Sequence, residues 1–166
     1  MKYISILLIA FLLLSCKNKT EIKVLSADEI INKSIEVSGG KKIESSNISF
    51  QFRDIGYKAS RNGGRFTLLR TQTKGKDWII DSLTNDGFNR SINYEVIKIE
   101  DSMAVKYTAS VNSVHYFSVL PHGLNDNAVN KTLLGEEKIK EKNYYKIKVT
   151  FNKEGGGEDY EDVFIY

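Results

Sequence analysis

The chain of 166 residues carries 24 Lys and Arg against 21 Asp and Glu, a formal net charge of +3. That length suits one domain, and so near a balance leaves no electrostatic footprint for nucleic acid. The only cysteine is Cys16, which excludes an intramolecular disulfide.

The chain opens Met1-Lys2-Tyr3 and continues through Ile4 to Leu14, apolar except for Ser5. That run has the length of a signal-peptide core and is too short to span ~30 Å of hydrocarbon. It ends Leu13-Leu14-Ser15-Cys16, which resembles the bacterial lipobox. The alternatives are an ordinary signal peptide or a buried segment with a free thiol, and a core segment does not sit behind a lone Lys at the extreme N-terminus. The resemblance implies that residues 1–15 are a leader and that Cys16 is acylated, holding the protein on a membrane. Lys17 to Leu25 then reads as a polar tether, so the domain proper is expected over 26–166. No Asp follows Cys16. By resemblance to enterobacterial sorting, this implies a place in the bacterial envelope, on the outer membrane facing the periplasm.

Ser26 to Val37 predicts a helix. Ser26-x-x-Glu29 is a capping box, and Ala27, Ile30, Ile31 and Ile35 form one apolar stripe. Gly39-Gly40 ends it. The period then becomes two. Ile48, Phe50 and Phe52 carry the apolar phase, followed by Ile55, Tyr57 and Ala59. This change of parity is read as a bulge near Asp54–Gly56 in one continuous strand. Turns at Asn62-Gly63-Gly64, Gly75-Lys76-Asp77 and Asn85-Asp86-Gly87 continue an antiparallel meander to Ile99. With no helices between strands, a parallel sheet is excluded.

Asp101 to Leu120 predicts a second helix, capped by Asp101 or Ser102, with Ala104, Tyr107, Val111 and Val114 as its stripe. Residues 121–131 read as a loop with room for a helical turn. Strands follow at Leu133–Ile139, Tyr144–Phe151 and Asp159–Tyr166. A strand running to the last residue suggests that a further strand lies beyond Tyr166.

Helix, bent meander, helix and further strands behind a lipobox resemble the LolA/LolB-like envelope fold. IINKSIEVSGG (30–40), ISFQFRD (48–54), VNSVHYFSVLPHGLND (111–126) and the segment 144–166 with its triple glycine are similar to an uncharacterised family of envelope lipoproteins. The resemblance implies an α+β fold: an incomplete antiparallel half-barrel with two helices covering its concave face.

Three constellations carry candidate chemistry. Asn112, His115 and Tyr116 share one face of the second helix, and His122, Asn125 and Asp126 follow in its exit loop. They fit the mouth of a cavity, orienting a ligand's polar head. They also fit a solvated helix face and a self-capping loop, and their spacing is no recognised metal motif. Glu158, Asp159, Glu161 and Asp162 cluster after Gly155-Gly156-Gly157. They lack the ligand spacing of a calcium loop and read as a solvated hairpin. Arg53-Asp54 sits at the expected bulge with Tyr57 beyond it and Arg61, Arg65, Arg70 and Arg90 elsewhere in the meander. There a site-directed pair competes with a bulge-stabilising ion pair.

No catalytic dyad, triad or phosphate loop stands out, and no cofactor is implied. The expected function is a non-catalytic binding module for a lipid or other hydrophobic ligand. Its apolar surface would be the series Ile48, Phe50, Phe52, Tyr57, Phe66 and Leu68. The alternatives are an accessory subunit that meets an envelope protein partner through aromatics such as Tyr94 and Tyr144, and a periplasmic enzyme that uses His115 or His122.

Overall fold

The computed structural model of the protein describes residues 25–152 and 161–166. The segment expected to be a leader, Cys16, the expected tether as far as Val24, and the expected acidic hairpin from Gly155 to Asp159 lie outside the described residues.

The described elements are helices α1 (Ala27–Val37) and α2 (Gly40–Ile43), strands β1 (Asn47–Phe52), β2 (Ile55–Asn62), β3 (Arg65–Lys74), β4 (Asp77–Thr84), β5 (Gly87–Ile92) and β6 (Glu95–Ile97), helix α3 (Asp101–Phe117), a 3-10 turn (His122–Asn125), and strands β7 (Val129–Ile139), β8 (Lys142–Phe151) and β9 (Glu161–Ile165). The class is α+β and every described strand pairing is antiparallel.

The strands form two ladders, one of six in the order β1 to β6 and one of three in the order β7-β8-β9. The two long helices also divide. In one core Ala27, Ile30 and Ile31 of α1 pack with Leu124, Val129, Ile147 and Val149. In the other, Val111 of α3 packs with Ala59, Leu68 and Leu83 of the six-stranded sheet. The two long helices therefore centre on different cores, although Tyr116 of α3 also meets Phe151 of β8 at a ring-centroid distance of 6.0 Å.

Helix α1 starts as expected. The Ser26 amide donates to Glu29 Oε2 at 2.9 Å, and the Glu29 amide donates to Ser26 Oγ at 3.2 Å. It ends at Val37, and beyond the Ser38 cap stands Gly39, whose φ of +81° suits glycine, while a side chain on Gly40 would collide with Ile35. Helix α3 differs from expectation at both ends. Its N-cap is Glu100, which makes no side-chain cap bond, and it stops at Phe117, short of Leu120.

The expected bulge is instead a hairpin. Phe52 pairs with Ile55, so Arg53 and Asp54 are the two residues of a tight turn between β1 and β2. Both have positive φ, 51° and 62°, which is the geometry of a type I′ connection. A bulge and a two-residue turn shift parity alike, and Arg-Asp carries none of the Gly or Asn that usually marks this turn. Asn93-Tyr94 and Lys140-Glu141 turn with the same signs of φ. A true register shift occurs at Leu133/Gly135, where Gly135 has φ +119°.

Candidate functional site

Asn112, His115 and Tyr116 stand on α3 at i, i+3 and i+4, and so on one face. The chain then folds back through the 3-10 turn. Gly123 meets the Tyr116 ring so closely that a Cβ there would collide with it. This return brings His122, Asn125 and Asp126 opposite the helix. All six residues line one open cleft of about 480 Å³, within the size range of small-molecule sites.

The opposite wall comes from the sheet and from the end of α2. It contains Arg61, Arg65, Phe66, Leu68 and Glu44, with Val119 closing the helix side. Leu68 and Val119 are buried, so the cleft combines an apolar wall with a polar end. At the mouth Asn125 is fixed by its neighbours. Its Nδ2 donates to Asn32 Oδ1, and its Oδ1 accepts from Lys131 Nζ at 3.0 Å.

His115 is fully buried. Its ring stands edge-on to Phe50 and Tyr57, at centroid distances of 5.9 and 5.5 Å, while Phe50 and Tyr57 stack on each other at 5.2 Å. Nε2 lies 3.0 Å from the Leu69 carbonyl oxygen. That oxygen can only accept, so Nε2 carries the hydrogen and Nδ1 of the neutral ring carries a lone pair. Burial pushes the imidazole below the ordinary value of 6.5, the Leu69 carbonyl opposes this, and the charge of Arg61 reinforces it. His115 Nδ1 is buried and has no hydrogen-bond partner. Arg61 Nη1 is in the same condition, and burial lowers the Arg61 pKa. The cleft is therefore lined by one residue with an unused acceptor and one with an unused donor. Such orphans are rare in native structures and call for a partner.

Two of the expected site residues stand elsewhere. Arg53 is exposed on the β1–β2 turn, with its guanidinium 5.0 Å above the Phe52 ring. Tyr57 supports His115 from below but does not line the cleft. The apolar series also breaks at its third member, since Phe52 is 46% exposed. Among the described residues, no three His, Cys, Asp or Glu side chains are placed to share a metal ion.

The arginines of the meander separate into two groups. Arg61 and Arg65 reach the cleft. Arg70 and Arg90 converge on Asp81, which is fully buried in β4. Arg70 donates to Asp81 Oδ2 from Nε at 2.9 Å and from Nη2 at 2.6 Å. Arg90 donates from Nε to Oδ1 at 2.6 Å and from Nη2 to Oδ2 at 3.0 Å. The hydrogen bond to Asp81 raises the Arg90 pKa, and burial opposes it. One carboxylate neutralises only one of two guanidinium groups. The surplus charge is met by α3. Arg90 lies 3.5 Å over the Tyr107 ring, and Arg70 Nη1 donates to Ser110 Oγ at 2.6 Å. This polar clasp seats the helix that forms one wall of the cleft.

Sequence reasoning missed Asp81 and the pairing of Arg61 with His115. A signal for the first was present: Arg70, Asp81 and Arg90 all fall on the inward phase of their strands, beside Leu68, Leu83 and Phe88. The second had none, because it joins β2 to a helix some fifty residues away.

The chain belongs to a family of unknown function, DUF6503, whose family model matches residues 2–166. No curated protein and no solved structure matches it.

Proposed function

We propose that this DUF6503 protein is a non-catalytic binding module, one that takes a small ligand with an apolar body and a polar head into the cleft between α3 and the β2–β3 hairpin. The reading rests on one observation: Arg61 Nη1 and His115 Nδ1 are both buried without partners, on residues that line a single cleft. Leaving such groups unpaired costs about 1–3 kcal/mol each, more for a charged one. A ligand head that satisfies both recovers this. Phe66, Leu68 and Val119 supply the apolar wall.

On this reading the module is carried in the bacterial envelope by acylated Cys16, on the outer membrane and facing the periplasm. The lipobox at 13–16 supports that placement. The order helix, antiparallel meander, helix and strands supports kinship with LolA/LolB-like half-barrels.

Native mass spectrometry of the full chain purified from a bacterial envelope tests the function. The expected spectrum shows a retained small mass that organic solvent extracts, and that mass is lost in the Arg61→Gln variant. A bare protein mass from every preparation overturns the reading.

A second reading, an accessory subunit of an envelope assembly, has its own observation. Tyr94 is 82% exposed on the β5–β6 turn, and Val96 is 75% exposed on β6, the last strand of its sheet. Crosslinking in cells to one protein neighbour, abolished by Tyr94→Ser, is the result that would favour it.

A further inference from the structure

We infer that the ligand is a monoanionic acid, a carboxylate on an apolar body, held between Arg61 Nη1 and His115 Nδ1. The inference rests on the binding-module reading and adds the class of the head group. Arg61 is always charged and has a buried N–H without an acceptor. A carboxylate is the oxygen acceptor that a guanidinium meets best, and the bond is charge-assisted. Its second oxygen faces His115, whose unpartnered Nδ1 can change from acceptor to donor.

The charges lining the cleft limit the ligand to one negative charge. From β2 comes Arg61, from β3 Arg65, from the segment after α2 Glu44, and from the 3-10 turn and its exit His122 and Asp126. Arg70, further along β3, is already engaged by Asp81. Tyr57 presents only its ring to the imidazole. The two guanidinium groups and two carboxylates of the cleft cancel formally. A dianion such as a phosphate monoester would place its second charge among Glu44 and Asp126 with nothing left to offset it. A cation would face the positive charge of Arg61, whose Nη1 is buried.

Binding carries a proton balance. The free ring is neutral, with its hydrogen on Nε2 toward Leu69. As the carboxylate enters, one proton moves from solvent to Nδ1, which then donates to the second oxygen. No covalent bond between ligand and protein forms. Affinity for an acid therefore rises as pH falls from about 8 toward 6, where histidine charge is adjustable. Affinity for an uncharged analogue stays flat.

The experiment is isothermal titration calorimetry on the full chain in lipid nanodiscs, with empty nanodiscs subtracted. Three probes share one body: 4-phenylbutanoate, 4-phenylbutan-1-ol and 4-phenylbutylamine. The expected result is binding of the acid, at least roughly tenfold weaker binding of the alcohol and none of the amine, from the strength of a charge-assisted pair. Titrations in two buffers of different ionisation heat should show uptake of about one proton with the acid alone. Arg61→Gln, at a half-buried position, should weaken the acid by about tenfold and leave the alcohol within about twofold. Equal binding of acid and alcohol, or acid binding without proton uptake, overturns the inference and leaves the binding module intact. If none of the three probes binds, the inference also falls, and the retained mass in native spectrometry decides the binding module separately.

Discussion

Helices α1 and α3 are seated by opposite means. Helix α1 buries Ala27, Ile30 and Ile31 against the three-stranded ladder and opens with a capping box. Helix α3 is longer, yet only Val111 and His115 are buried on it, and its N-terminus has no side-chain cap. What it lacks in apolar burial is supplied by polar contacts. Ser110 accepts from Arg70 and Tyr107 takes the Arg90 cation on its face, while Asp81 binds both arginines beneath. An apolar stripe seats a helix without specifying its exact position, whereas a hydrogen-bonded clasp fixes it in one place. The helix with the clasp is the one that presents His115 and Asn112 to the cleft, where placement matters.

The sharpest way to break the contrast is at Asp81. Asp81→Ala leaves two buried guanidinium groups without their carboxylate and should cost about 3–5 kcal/mol in urea unfolding. Replacing Arg70, Asp81 and Arg90 together by Met, Leu and Leu should recover most of that loss, because the desolvation of all three charges disappears with them. The stability would then be similar, but α3 would hold its register less well. Broadened amide signals of α3 in the NMR spectrum are the expected mark.

The corresponding truncation under α1 is Ile31→Ala. It removes a fully buried side chain from an apolar core and should cost about 3 kcal/mol, with no recovery by a second polar change.

Acid separates the helices more gently. The folded pKa of His115 lies below its ordinary 6.5, so below that pH the unfolded chain binds a proton that the folded chain resists. Stability is therefore full above 6.5 and declines as pH falls through it toward the lower folded value. His115→Asn should flatten this part of the unfolding profile, and an unchanged slope would place the acid sensitivity elsewhere.

The smallest effect belongs to the cap of α1. Ser26→Ala should cost about 1 kcal/mol by loss of the bond to the Glu29 amide. Thermal unfolding is sensitive enough to read it, and α3 should be unaffected.

Helix α1, the meander turns at Gly63, Gly75 and Gly87, and the shared face of Asn112, His115 and Tyr116 were legible because each depends on neighbours within a few residues. The cap is a local bond, glycine frees a local φ, and helical spacing is a local geometry. The turn at Arg53-Asp54 was misread for the same reason. Its residues lack the local mark, and only pairing of Phe52 with Ile55 distinguishes a hairpin from a bulge.

The sequence by itself determined the α+β class, the antiparallel meander, the two long helices and the six residues of helix and exit loop that line one side of the cleft. Tertiary structure alone decided which ladder each helix covers, that Asp81 gathers Arg70 and Arg90, and that Arg61 from β2 joins His115 from α3. Pairings of this kind have no periodic signature. A charge on the inward phase of a strand shows only that it must find a partner, because burial without one is costly. Which partner it finds depends on distances that exist only once the strands and helix have packed.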